Sequence, residues 1–481
     1  MIKSNMSKKN IYTLQDAENL SIEEVVKLYK NYINPNQSQI FSNLPYGRDL
    51  FKSAKGVHIH TNDGKKILDF TGGLGVLGLG HNHQRILDAR IKFQQQNKME
   101  VHKIVFSNYM AALSKNMAQL LPKNLNKSFF LNSGAEAVEA AIKICFKSYN
   151  SRKKNILFSN KSYHGKLIGS GSISGSYTKK NQFPVMENCI NFNFNDPDDL
   201  ENKILNCQKD GGVYAVIIEP FSASLLKSCS QEFMDKLFFL KNKFDFRIIY
   251  DEVFTGFYKS KKMFYFENFK VDNVPDAICL SKTLGGGKSS ISCVVVDDDV
   301  YDKAYSKLSD TFLHTTTYNG FAEESLTALE AINIITEKDF EKKVQKLSEL
   351  LDLKLKEIKE KHKDKIDEVK GTGVLNGIVF KSIYSNLAKL IEFFPLEIIK
   401  DKAFFLKKLT ATAICCELYE KYNILATVND SINSNHLCIS PSLVINEVDV
   451  NYFFESLSQI LNDGVSYKSI EVMLNFAKSK I

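Results

Sequence analysis

Between residues 128 and 296, short apolar runs alternate with longer stretches whose apolar side chains recur every third or fourth position. The runs "SFFL" (128–131), "NILFS" (155–159), "YAVIIEP" (214–220), "FRIIYDEV" (246–253), "AICL" (277–280) and "ISCVVV" (291–296) are uninterrupted and partly β-branched. Strands buried on both faces have this pattern. The intervening "AEAVEAAIKICFKSY" (135–149) and "QEFMDKLFFLKNKF" (231–244) have helical spacing. Their alternation predicts an α/β domain with a mostly parallel sheet flanked by helices. After about residue 322 the texture changes, and a long helical tract (324–362) leads into mixed structure. The expected division is an N-terminal segment (1–62), a large α/β domain (63–325) and a smaller C-terminal α+β domain (326–481). The amphipathic "SIEEVVKLYKNYI" (21–33) and the rest of the N-terminal segment are expected to join the smaller domain.

A length of 481 residues exceeds the usual size of one core, consistent with two domains. Hydrophobic residues at 44% and charged residues at 25% are ordinary for a globular chain and exclude disorder as the main theme. The formal charge of +8 comes from 63 basic and 55 acidic residues of interspersed sign. That mixture reads as solvated helix faces, so no nucleic-acid partner is expected. The nine cysteines include no CxxC pair, which argues against structural zinc and a disulfide framework and suits a reducing compartment. No apolar run approaches bilayer length and the first twenty residues lack a signal-peptide core. A cytoplasmic location without a membrane partner is the expectation.

The candidate chemistry lies at the ends of the apolar runs. In "ICLSKTLGGG" (278–287), Lys282 leaves a buried strand and enters three glycines. Burial lowers an amine's pKa and makes it a nucleophile toward carbonyls; a lysine that snorkels to solvent is the plain alternative. Asp251 ends another strand, where it could meet a pyridinium nitrogen or form a cap or structural salt bridge. "FLNSGAEAVEAAIK" (130–143) places Ser133 and the Gly134 and Ala135 amides at a helix N-terminus, which suits a phosphate or an ordinary N-cap. In "SYHG" (162–165), Tyr163 could stack on a flat ring or be a loop aromatic.

The ordered set "DFTGGLGVLGLGHNH", "NSGAEAVEAAIK", "YHG", "IIEP", "DEVFTGF", "SKTLGGG", "HTTTYNG" and "GTGVLNGI" resembles the class III (ornithine/ω-amino acid type) aminotransferases over roughly residues 45 to 460. The resemblance implies the type I fold of pyridoxal 5′-phosphate enzymes, that cofactor, and a homodimer with shared active sites. It implies that Lys282 attaches the cofactor and shuttles the substrate proton, while Asp251 keeps the pyridine nitrogen protonated. Ser133, Gly134 and Ala135 would hold the phosphate, with Thr317 reaching it from a partner subunit. Tyr163 and Val253 would sandwich the ring, with His164 and Glu219 close by. The reaction implied is ping-pong transfer of an amino group to a keto acid. Aminomutase, racemase or lyase chemistry on the same fold is the alternative, and a non-catalytic dimeric scaffold is a more distant one.

Three positions depart from the family pattern. Where many members carry Gln after the "DE(V/I)" pair, a Glu after "EP" and a C-terminal Arg, this chain has Phe254, Ser224 and Cys438. Joint loss of the Glu and Arg leaves no stranded charge but removes the usual grip on a carboxylate. The expected donor is therefore an amine, a diamine or an ω-amino compound. Lys259 and Lys370 stand where arginines are common and read as structural. His81 and His83 of "GHNH" read as turn residues rather than metal ligands, and Cys415 and Cys416 as core.

Overall fold

The computed structural model describes residues 11–122, 124–175, 184–319, 321–381, 402–429 and 434–465. A seven-stranded sheet runs in the order Leu125–Leu131, Ser292–Asp297, Ala277–Leu280, Arg247–Asp251, Val213–Ile218, Asn155–Ser159, Cys189–Phe192. Six strands point the same way, and Ser292–Asp297 is antiparallel to both of its neighbours. Each residue of Asn155–Ser159, Val213–Ile218, Arg247–Asp251 and Ala277–Leu280 is buried, as uninterrupted apolar runs require when helices cover both faces.

Helix Gly134–Lys147 lies on one face of this sheet. Ala137, Ala140 and Ala141 are fully buried, and their small side chains let the helix backbone approach the strands closely. Ser133 caps it, accepting from the Glu136 amide, while the Glu136 carboxylate accepts from the Ser133 amide at 2.8 Å. This reciprocal box fixes where the helix begins. Helix Gln231–Phe244 spans the residues its periodicity predicts.

The expected tract 324–362 is two helices, Ala322–Ile335 and Phe340–Lys361. Thr336 is the C-cap of the first (φ −94°, ψ 3°): its backbone leaves the helical region, although its amide and hydroxyl both still donate to the Ile332 carbonyl. The second leads into an antiparallel sheet ordered Ile366–Thr372, Leu375–Phe380, Leu437–Ile439, Thr427–Val428.

The two ends of the chain meet in a third sheet, where Phe51–Lys55, His58–Thr61 and Lys66–Asp69 are joined by Ile424–Leu425. Tyr46 packs edge-on against Tyr419, whose hydroxyl donates to Asp49 at 2.6 Å. The N-terminal segment thus packs on the C-terminal helix Lys402–Tyr422. The tail 466–481 lies outside the described residues.

Candidate active site

Five strands of the large sheet deliver the candidate residues at or just beyond their C-terminal ends. Leu125–Leu131 leads to Ser133, Asn155–Ser159 to Tyr163 and His164, Val213–Ile218 to Glu219, and Ala277–Leu280 to Lys282, while Arg247–Asp251 ends on Asp251 itself. In open α/β sheets, ligands gather along this edge, because every strand feeds a loop into the same crevice.

Asp251 is buried, and both of its oxygens are engaged. His164 Nδ1 lies 2.8 Å from Oδ2, and the Val253 amide donates to Oδ1 at 3.0 Å. The His164 backbone amide donates to Ser174 Oγ at 2.8 Å, which fixes the imidazole, and its Nε2 has no partner among the described residues. Glu219 is also buried; it accepts from the amides of Tyr163 (2.9 Å) and Ala223 (3.0 Å). Burial pushes its carboxyl up to about 7, against the pull of His164.

Lys282 adopts a left-handed backbone (φ 52°), a strained choice for a side-chain-bearing residue. The glycines that follow turn the chain, with Gly286 also left-handed. The residue is half-buried, and its ammonium lies 4.3 Å from the centroid of the Phe254 ring. Burial pushes its pKa down to about 8, while Asp251 and Glu219 hold it from falling further. A useful fraction of the amine is therefore neutral near physiological pH.

At the other end of the crevice, the first-turn amides of Gly134 and Ala135 have no acceptor among the described residues. A Cβ on Gly134 would stand 2.8 Å from Val253 Cγ1, so glycine lets the helix start press against the loop after Asp251. Free N-terminal amides, a buried carboxylate and an amine of lowered pKa form a donor set that fits a phosphorylated pyridine aldehyde. Tyr163 is exposed on one side, and Val253 lies between Asp251 and Gly134. Thr317 is exposed, and it is its neighbour Thr316 that donates to Asn132, next to Ser133, at 3.4 Å.

The sequence matches the family model "Aminotransferase class-III" over residues 46–461. The chain belongs to the class III aminotransferases. It is a pyridoxal-phosphate-dependent transaminase. A transaminase from the marine bacterium Virgibacillus is similar in fold (TM-score 0.75, 21% identity, covering 89% of this chain and 94% of that one). An ω-transaminase from Pseudomonas jessenii in complex with PMP has TM-score 0.73 and 20% identity, covering 86% and 92%. Ornithine δ-aminotransferase from Plasmodium falciparum has TM-score 0.70 and 22% identity, covering 92% and 99%.

Of the departures, Phe254 sits beside Lys282, Ser224 is buried, and Cys438 is half-buried on strand Leu437–Ile439. His81 Nε2 pairs with Asp69 Oδ2 at 2.8 Å, and Cys415 and Cys416 are buried. Lys259, by contrast, is buried at the Phe254 ring rather than solvated. Its neighbours Lys261 and Lys262 make "YKSKKM" look like a surface patch, and only its place at a position where the family commonly has arginine sets it apart from them. Ser440, whose buried hydroxyl has no partner among the described residues, carried no signal at all.

Proposed function

We propose that this transaminase takes its amino group from an amine, a diamine or an ω-amino compound and passes it to a keto acid, with Lys282 as the proton carrier. When bound, the cofactor supplies an electron-withdrawing ring that accepts the electron pair released at the substrate carbon. Asp251, steadied by His164 and Val253, would hold the proton on the ring nitrogen. The Gly134 and Ala135 amides, with Ser133, hold the phosphate. Tyr163 and Val253 would flank the ring, and Glu219 keeps the Tyr163 loop in place by accepting from its amide. Lys282 Nζ takes the proton from the donor carbon and later returns it. Its pKa of about 8 leaves both protonation states accessible, which that relay needs.

The observation that carries this reading is the juxtaposition of Lys282 with Phe254, together with Ser224 and Cys438 in place of an ion-paired Glu and Arg. An aromatic wall favours the apolar stem of an amine over the second carboxylate of a diacid. The test is to load the protein with pyridoxal phosphate and follow the loss of its visible band with putrescine, β-alanine and L-glutamate. Faster bleaching by the first two is expected; preferential bleaching by glutamate would refute the donor assignment.

A homodimer is supported by the surface. Ile104, Phe106 and Leu308 are almost fully exposed, and Phe312 largely so. Segment 101–106 is tied to the Thr317 loop by the Val101–Phe321 bridge and by Lys103 Nζ donating to Asn319 Oδ1 at 2.7 Å. This apolar belt borders the loop through which a second copy would offer Thr317 to the phosphate. All nine cysteines are free, and among the described residues no helix is long and apolar enough to cross a membrane. Both are consistent with a reducing, cytoplasmic location. The same reading divides the chain into a cofactor-binding domain over 63–325 and a smaller domain built from 1–62 and 326–481.

A further inference from the structure

Among the described residues, only two cationic side chains are fully buried, Arg247 and Lys259. Arg247 has its counter-charges, with Asp299 at 2.7 Å and Asp276 at 3.5 Å. Lys259 has none within ion-pair distance among the described residues. Its ammonium donates to the Gly75 carbonyl at 2.8 Å and lies 5.2 Å from the centroid of the Phe254 ring, whose other cationic neighbour is Lys282. An ammonium has three donors, and burying one with a single carbonyl and an aromatic ring leaves it short of partners. Burial, with Lys282 nearby, pushes its pKa well below the usual lysine range.

A second deficit lies beside it. Ser440 Oγ is buried and has no hydrogen-bond partner among the described residues. It borders the same glycine, 3.4 Å from where a Gly75 Cβ would stand, while the Phe254 ring is 3.0 Å from that point. Gly75 has φ 79° and no room for a side chain, so both polar groups come up to the same stretch of bare backbone beside the Phe254 ring. Ser440 directly follows Leu437–Ile439, the strand whose Cys438 replaces the family's arginine. An under-partnered ammonium and an idle hydroxyl thus both border Gly75 and the Phe254 ring, on which Lys282 also lies.

We propose that Lys259, with Ser440 as a second donor, binds the carboxylate of the keto-acid substrate and so makes this site selective for a carboxylate-bearing acceptor. The proposal rests on the transaminase reading above. A carboxylate would supply the missing counter-charge and accept from both groups in charge-assisted hydrogen bonds. The bond to Gly75 holds the ammonium in position in the meantime.

The test compares two amino acceptors on the cofactor-loaded enzyme carrying the amino group, pyruvate and acetaldehyde, the second being pyruvate without its carboxylate. For Lys259→Met the preference for pyruvate over acetaldehyde, taken as the ratio of kcat/KM values, is expected to fall at least tenfold, and Lys259→Arg to retain most of it. Ser440→Ala, a milder change, is expected to lower the ratio two- to tenfold and serves if Lys259→Met does not fold. An equal loss with both acceptors, or no change in the ratio, would overturn the proposal and leave Lys259 as a tie to Gly75. If the wild type turns over neither acceptor, the transaminase reading has failed instead. Calorimetric titration with acetate then decides the binding claim separately. Binding to wild type that weakens at least tenfold in Lys259→Met supports it, and equal binding or none overturns it.

Discussion

Lys282 is held in a state that costs the protein stability whenever the cofactor is absent. A lysine moved from its ordinary value near 10.5 to about 8 carries about 3 kcal/mol of unfavourable interaction in its charged form, at about 1.36 kcal/mol per pH unit. The pull of Asp251 and Glu219 is already included, since both raise the value. Because the residue is only half-buried, water in the crevice screens part of this, and about 2 kcal/mol is the expected effect. Lys282→Met keeps the length of the side chain and removes the charge, so the cofactor-free variant should be more stable than wild type by about that amount at pH 7. The folded-state pKa lies below the unfolded one. Below pH 8 both states are protonated and the full cost is felt, whereas between 8 and 10.5 the folded state sheds its proton first and the cost fades. The gain from the substitution should therefore fall to about half by pH 9.5. Urea denaturation of both cofactor-free proteins at pH 7 and 9.5, at one protein concentration, measures it. A variant no more stable at pH 7, or a gain that ignores pH, would refute the argument that burial depresses this amine.

Other expectations follow from the same geometry. Asp251→Asn keeps the shape but removes the charge that would hold the ring proton, and should cut turnover at least about a hundredfold in a steady-state assay while the protein still folds. It should also let the Lys282 pKa fall further below 8, because Asp251 raises it, which a pH profile of labelling by an amine reagent would detect. Gly134→Ala puts a Cβ 2.8 Å from Val253 and should weaken pyridoxal phosphate binding in equilibrium dialysis at least about threefold, although alanine is the better helix former. Phe106→Asp, on the exposed apolar belt, should shift the protein toward monomer in sedimentation and lower cofactor retention with it.

The inner strands of the large sheet were legible because they are buried on both faces and so appear as unbroken apolar runs, whereas the partly exposed edge strand Cys189–Phe192 gave no such run; helix Gln231–Phe244 was legible because its apolar stripe has one period throughout. The split of tract 324–362 was less visible. The break is a change of backbone angles at Thr336, which leaves the spacing of apolar residues on either side helical. At the site, Lys282, Asp251 and the Ser133 turn stand where a strand gives way to a loop, a change of texture that a sequence displays. Pairings such as His164 with Asp251, or Tyr163 with Glu219, join residues 87 and 56 apart and depend on the strand order, which no local pattern encodes. Lys259 is the sharpest case. Composition does not distinguish the lysines at 259, 261 and 262, and the family pattern marks the first only as structural, yet it is buried against Phe254 while Lys261 pairs with the half-exposed Asp352 at 2.7 Å.

The central claim is that nitrogen moves from an amine to a keto acid by way of Lys282. The most direct measurement supplies putrescine or β-alanine with isotopically labelled nitrogen, together with pyruvate and pyridoxal phosphate, and looks for labelled alanine by mass spectrometry, with Lys282→Ala alongside. Labelled alanine from the wild type and none from the variant is the predicted result. Consumption or rearrangement of the amine without label in alanine would contradict it and assign the site to aminomutase or lyase chemistry.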